Sequence, residues 1–260
     1  MSTAATQRSA TPISEEEAIR NGVLRFVREA ALEQRPLPGE LELVKLLDCS
    51  RQQVRRALTD LEHQGIVIRR QGAATIVDPL ALRMAVRLED QLEHTELLER
   101  MGYRAAVEVV ESSFGEASRS IAGLFTPDAA SETFSVVKRW TADGIPAMVA
   151  ENTLAFPAGE RPELEPGDSV FALAERVWGE SVVWEVATPG VAVLDDRSAE
   201  LLGSAVGSPV LTLEIVGVTA SGRRVFHAAE MHNPQIVTYS FVRTVSAPWG
   251  GPRLEVHSAR

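Results

Sequence analysis

Apolar residues recur every three to four positions in three short segments near the start of the chain. In EEEAIRNGVLRFVREAALEQR, Ile19, Val23, Phe26, Val27 and Ala30 fall on one stripe, and three glutamates open the segment, where a helix dipole favours negative charge. The pattern predicts a first helix that ends before Pro36 and Pro38. ELELVKLLD sets Leu43, Leu46 and Leu47 together as a shorter second helix, with Asp48 and Cys49 as the turn. Ser50 stands where an N-cap is needed for a third helix from about Arg51 to Gln64. Val54, Leu58 and Leu61 give that helix its apolar stripe and Gly65 its stop. Two β-rich runs, IVIRR and TIV, flank QGAA as a hairpin, so three helices and a hairpin predict a winged helix.

Beyond residue 78 the pattern changes. DPLALRMAVRLEDQLEHTELLERMG reads as a connector and helix closed by Gly102. AAVEVVESSF, FSVVKRWTADGIPAMVAENTLAF, VVWEVATPGVAVL and PVLTLEIVGVTASGRRVFHAAEMH alternate as strands do, with hairpin turns at Asp143-Gly144 and Ser221-Gly222. EASRSIAGLF, DSVFALAERVWG and DRSAELLG are short helices with a Ser or Asp cap near their starts. The fold class is α+β: an N-terminal winged helix-turn-helix domain followed by an antiparallel sheet covered by helices.

Composition refines this picture. A length of 260 residues, with 45% hydrophobic and 24% charged positions, describes a folded chain of one or two domains. The longest uncharged apolar stretches, SVVW and ATPGVAVL, fall far short of the ~20 residues a membrane span needs. The first residues have no apolar core behind a basic start, so residues 1–12 are read as a disordered arm rather than a secretion signal. Cys49 is the single cysteine, which fits a reducing compartment, and the cytoplasm is the expected location. The expected division is 13–78 for the winged helix, 79–100 for the connector and first helix, 101–247 for the second domain and 248–260 for a tail.

Charge is distributed unevenly. The formal net charge is −10, yet residues 1–78 are balanced, with 11 basic and 11 acidic side chains, and residues 79–260 hold 15 and 25. Within the balanced part, residues 50–72 carry five arginines and two acids. Arg51, Gln52, Arg55 and Arg56 face outward on the third helix, offering cations for phosphates and forked donors for base edges. Ser50 and the helix-start amides are suited to a phosphate. Basic helix faces are often simply solvated, but the helix-turn-helix and basic hairpin here favour duplex DNA.

LPGELELVKLLDCSRQQVRRALTDLEHQGIVIRRQGAATIV resembles the DNA-binding domain of the GntR family of bacterial transcription regulators. The likeness rests on LPGE at the opening of the second helix, SRxxVRRAL, the LExxG exit and the basic RRQG of the wing. It implies that Arg51 and Arg55 contact bases or phosphates, that Gln52 and Gln53 vary operator preference, and that Gly72 is the wing tip, with Arg56 and Arg69 assisting. Leu41 replaces a common Arg, and Ala73-Ala74 replace a common Arg-Gly in the wing, which removes two expected DNA contacts.

The remainder resembles the UTRA effector-sensing domain of one branch of that family, the HutC type, over most of residues 80–245. LLERMGYRAAVEVVESSFGEAS, KRWTADGIPAMVAENTLAF and DDRSAELLGSAVGSPVLTLEIVGVTASGRRVFHAAEM carry the likeness. It implies a chorismate-lyase-like sheet holding a small polar metabolite, a sugar phosphate or amino sugar among the classes, with Lys138, Trp140, Glu151, Glu230 and Tyr239 as effector-binding positions. Lys138 and Trp140 stand where many members have an arginine pair, and Leu154 where a tyrosine follows the glutamate. Glu151 and Glu230 are equally readable as solvated strand carboxylates, and Trp140, Trp178 and Trp184 as core.

His227 and Glu230 differ by an odd number and should face opposite sides of a strand, and His232 with Glu230 lacks a third ligand, so no metal or other cofactor is expected. No nucleophile elbow, phosphate-cradling loop or His-Glu-x-x-His helix is present, so no catalytic residue is assigned. The sequence thus predicts a metabolite-responsive repressor, a homodimer binding a pseudo-palindromic double-stranded DNA operator, with no membrane partner. A chorismate-lyase-like enzyme domain and a dimerisation-only second domain remain as alternatives.

Overall fold

The protein is described from a computed structural model covering residues 14–69, 75–78, 88, 92–160 and 162–240. The first helix, α1 (Glu15–Leu32), begins at Ser14, whose side chain accepts from the Glu17 amide at 3.2 Å. α2 (Glu40–Leu47) ends at Asp48, which adopts the left-handed conformation (φ 48°) to turn the chain into α3 (Arg51–His63). The wing pairs β1 (Val67–Ile68) with β2 (Ile76–Val77) in antiparallel register. Val23, Val27, Leu43, Val54, Leu58 and Leu61 close the core of this unit, which is the predicted winged helix. Gly72, Ala73 and Ala74 lie outside the described residues, as does most of the connector.

Two residues depart from the predicted stripe of α1: Leu24 is fully buried within the winged-helix core and Phe26 only partly. α1 also packs against the second unit. There, α4 (His94–Arg100) ends in Gly102 (φ 83°), where an added Cβ would stand 2.7 Å from the Leu24 carbonyl oxygen. Only glycine fits so close a backbone approach in this conformation.

The second unit is a six-stranded antiparallel sheet in the order β3-β4-β5-β8-β7-β6. Its strands are β3 (Ala105–Glu116), β4 (Ala129–Ala142), β5 (Ile145–Pro157), β6 (Val182–Val193), β7 (Pro209–Thr219) and β8 (Arg224–His232). The short α5 (Arg119–Ala122) links β3 to β4. The β4–β5 turn places Asp143 (φ 51°) and Gly144 (φ 83°) in the left-handed region, as a tight hairpin requires. α4 and α6 (Val170–Trp178) cover one face, burying Leu97, Leu98 and Leu173 against Trp140, Met148, Leu154 and Phe226. α7 (Asp196–Leu202) covers the other, burying Leu202 against Val137 and Val149. Each large side chain fully buried in these layers is worth about 1.5–3 kcal/mol. α4 therefore packs as part of the sheet domain, although the expected division set it with the connector.

Candidate DNA-binding face and effector site

α3 is built to be presented. Its Ser50 cap accepts from the Gln53 amide at 3.3 Å, and the Gln53 side-chain oxygen accepts from the Ser50 amide at 2.8 Å, closing a capping box. The Gln53 amide nitrogen donates to Glu15 at 2.9 Å, tying α3 to the start of α1. Gln53, expected to help select the operator, is thus held in the cap and removed from the outward set. Gln52 remains exposed.

Val54, Ala57, Leu58 and Leu61 bury the inner face of α3, which leaves the side chains of Arg51, Arg55 and Arg56 62%, 65% and 69% exposed. Arg56 meets Glu16 at 2.5 Å, while Arg51 and Arg55 converge on the Glu40 carboxylate at 3.3 and 3.8 Å. Exposed pairs of this kind contribute little and exchange readily for phosphate. Arg69 differs: it donates to Glu62 at 2.7 Å and to Thr59 at 2.9 Å, so it braces the wing against α3. Its hydrogen bond holds the Glu62 carboxyl below its usual range.

The effector-domain positions divide by sheet face. Lys138, Ala150, Glu230 and Leu213 form one cross-strand row, and Trp140, Met148, His232 and Leu211 the next, both beneath α4 and α6. Tyr239 joins them from beyond β8, within 3.3 Å of His232 Nδ1. Glu151 falls in the row Val137, Glu151, Ala229 and Glu214 on the opposite face, where it is exposed. The cause is one residue. Ala142 faces Ile145 and Thr141 faces Pro146, but Trp140 faces Met148, so Ala147 is an extra residue that flips the alternation of β5. Of the two readings of Glu151, an effector-binding position or a solvated strand carboxylate, this exposed placement fits the second.

Glu230 is the centre of the covered face. Its two oxygens lie 2.9 Å from His94 Nε2 and 3.1 Å from His232 Nε2, and the His94 ring sits on Trp140 with centroids 4.6 Å apart. Burial alone raises a carboxyl's pKa, but the charge of His94 and hydrogen bonds from His232 and His94 outweigh it and hold Glu230 well below the carboxylate range. Conversely, burial lowers the pKa of His94, and the Glu230 charge and hydrogen bond overcome this to hold it above its ordinary value. Glu185, desolvated on β6 and repelled by Glu230, is pushed up to about 7. Burial also pushes the Tyr239 hydroxyl up. Lys138 donates to the Asp168 carbonyl, and desolvation lowers its pKa.

His94 and Glu185 escaped sequence reasoning. His94 sits in an acidic helix far along the chain from Glu230, and Glu185 in an edge strand, so only assembly of the sheet brings them together. His227 occupies the far face and pairs with Glu214 at 2.6 Å, as its parity with Glu230 predicted. Among the described residues, no three His, Cys, Asp or Glu side chains are grouped to hold a metal ion. None of the described helices is long and apolar enough to cross a membrane.

Comparison with known proteins matches this geometry. Residues 27–77 fit the family described as bacterial regulatory proteins, gntR family, and residues 100–237, more than half of the chain, fit the UTRA domain. The chain is 29% identical over 230 residues to the HTH-type transcriptional regulator Rv0792c of Mycobacterium tuberculosis, covering 83% of this chain and 80% of that protein. It is 28% identical over 184 residues to the HTH-type transcriptional repressor PhnF of Mycolicibacterium smegmatis, covering 70% and 73%. It is 23% identical over 207 residues to the HTH-type transcriptional repressor NagR of Bacillus subtilis, covering 78% and 84%. The crystal structure of PhnF from Mycobacterium smegmatis shares the fold, with a TM-score of 0.55 at 24% identity over 86% of this chain and 100% of that one. The winged helix, the antiparallel sheet and these relatives together place the chain in the GntR family of bacterial transcription regulators, in the branch that carries a UTRA effector domain, as a regulator rather than an enzyme.

Proposed function

We propose that the protein is a homodimeric repressor that binds a pseudo-palindromic operator in the cytoplasm and responds to a small polar metabolite. The observation that carries this reading is the exposed face of α3, where Arg51, Gln52, Arg55 and Arg56 stand on a capped helix in a chain of net charge −10. An acidic body repels the duplex everywhere else, so phosphate contacts concentrate on α3 and the wing. The division into a DNA-binding unit at 13–78 and an effector unit at 101–247 belongs to the same reading.

Dimerisation is supported by β6, a sheet-edge strand that exposes Trp184, Val186, Val191 and Val193. An apolar exposed edge of this kind is normally covered by a partner, and two-fold symmetry in the protein calls for two-fold symmetry in the operator. The effector site is the face of Lys138, Trp140, Glu230 and Tyr239, without Glu151. PhnF and NagR are named repressors, which supports the sign of regulation.

Titration against DNA from the gene's own upstream region tests the reading. Arg55→Ala should weaken binding and reduce the slope of log K against log salt by roughly one. Unchanged affinity and slope would remove α3 from the interface. A thermal-shift screen against amino sugars, sugar phosphates and other polar metabolites tests the effector face, because a ligand of the native state alone raises the melting temperature.

A further inference from the structure

Among the described residues, α4 is a short rod that links the covered face of the sheet to the winged helix. α4 has seven residues, and its two ends touch different units. At its start, His94 lies against Glu230 at 2.9 Å and covers the ring of Trp140. At its far end, Glu99 accepts from Asn21 of α1 at 3.2 Å, and Gly102 sits on the Leu24 backbone. Between α4 and the winged helix lies a cavity of about 480 Å³ lined by Arg20, Asn21, Asp60, Glu96 and Arg100 among others. The side chains facing this cleft are largely polar, so parting them exposes little apolar surface compared with opening a core.

We propose that His94 is an internal occupant of the effector site: its imidazole holds Glu230 and Trp140 where a ligand's donor nitrogen would sit, and its displacement lets α4 shift on its Leu97 and Leu98 anchor, and the winged helix with it. The inference rests on reading this face as the effector site. Its chemistry follows from Glu230. The carboxylate is 5% exposed and has both oxygens engaged. Removing His94 without replacement would leave a buried charge short of a partner. Only a molecule that brings its own donor can take that position, and one flat enough to lie on Trp140 fits best. The ligand class is therefore a small molecule with a cationic or hydrogen-bonding nitrogen, an amine or nitrogen heterocycle. A molecule offering Glu230 only a phosphate or carboxylate would meet like charge.

The sequence position of His94 makes the coupling direct. It opens α4, so a ligand that expels the imidazole moves the first turn of a helix whose last turn is bonded to α1. Glu93, just before it, adds negative charge near the ring beside that of Glu230, so the same site favours a cationic occupant whether tethered or free.

Spin labels on Leu46→Cys and Val206→Cys, in a Cys49→Ser background of the full chain, report the distance between the two units. Both chosen positions are exposed, at 53% and 60%. Diluting labelled with unlabelled protein isolates distances within one chain. The parent should give one narrow distribution, and His94→Ala should lose it in favour of longer distances. Millimolar imidazole should fill the vacated position in His94→Ala and raise its melting temperature while leaving the distribution broad, because a free ring is not tied to α4. Glu230→Gln is the second route should His94→Ala fail to fold, and it too should lose the narrow peak. A folded His94→Ala chain with the parental distribution, or one that imidazole fails to stabilise or returns to the narrow peak, overturns the proposal. The measurement uses neither DNA nor effector, so its failure leaves operator binding and the ligand screen to be decided by their own titrations.

Discussion

The guanidinium of Arg28 lies 3.7 Å from the centre of the Tyr103 ring, joining the first helix of the DNA-binding unit to the entrance of the effector sheet. The same guanidinium donates to Asp143 at 2.7 Å in the β4–β5 turn, which follows the strand carrying Lys138 and Trp140. Backbone and side-chain donors from Arg104 and Arg28 hold the Asp143 carboxyl below its ordinary range despite partial burial. Arg28→Ala removes both contacts, at a cost of about 1–2 kcal/mol for a partly desolvated cation on a ring and a carboxylate. Calorimetry should show one melting transition in the parent and two in Arg28→Ala. Tyr103→Leu, which keeps the ion pair, should lie between them.

The two neighbouring glutamines of α3 should separate cleanly. Gln53→Ala breaks the capping box and the tie to Glu15, lowering stability by about 1 kcal/mol while leaving the ranking of operator variants unchanged. Gln52→Ala should leave the melting temperature within error and change that ranking. Denaturation curves and competition binding on the same two variants check both halves.

Gly102→Ala tests the tightest approach between the two units. The residue has φ 83°, and the new methyl would press into the Leu24 carbonyl at 2.7 Å. Strain at φ > 0 together with that clash should cost about 1–3 kcal/mol, with faster amide exchange in α1 near Leu24 as the local signature. Gly144→Ala, in an open turn with a similar φ and nothing within 4 Å of the added Cβ, should show only the conformational part.

Stability should be greatest in a mildly acidic window. Glu230, depressed in the folded state, contributes stability that is present above its unfolded value of 4.5 and lost as pH falls through its folded value. His94, raised in the folded state, contributes stability that is full below 6.5 and lost as pH rises through its folded value. Glu185, raised from 4.5 to about 7, favours the folded state only while neutral, so stability declines across that interval. Melting temperature against pH should therefore pass through a maximum near 4.5, where the acid limb of Glu230 gives way to the decline from Glu185. Glu185→Gln should flatten the decline between 4.5 and 7 and leave the acid limb in place.

Much of this architecture can be read from local chemistry. Val54, Leu58 and Leu61 fix which side of α3 is inside, and Ser50 fixes where it starts, so the outward set of Arg51, Gln52, Arg55 and Arg56 follows from sequence alone. Asp143-Gly144 and Ser221-Gly222 mark their hairpins because left-handed conformations demand such residues. The face of each strand residue is less accessible. In an unbroken hairpin Glu151 would pair with Val136, on the face of Lys138, and a single extra residue, Ala147, sends it to the other side. Nothing in the side-chain pattern of KRWTADGIPAMVAEN announces that bulge.

What the sequence determined by itself was what depends on neighbours in the chain: helix periodicity, caps, turns, the two-unit order and the basic face of the third helix. What only the tertiary structure decided was which side chains separated by scores of residues come to share one surface. His94 reaches Glu230, and Arg28 reaches Tyr103 and Asp143, through sheet register and packing. Those depend on the summed burial of many residues rather than on any local preference, so a charge such as Glu15, the partner of Gln53, or a carboxylate such as Glu230, acquires its role only when the fold closes around it.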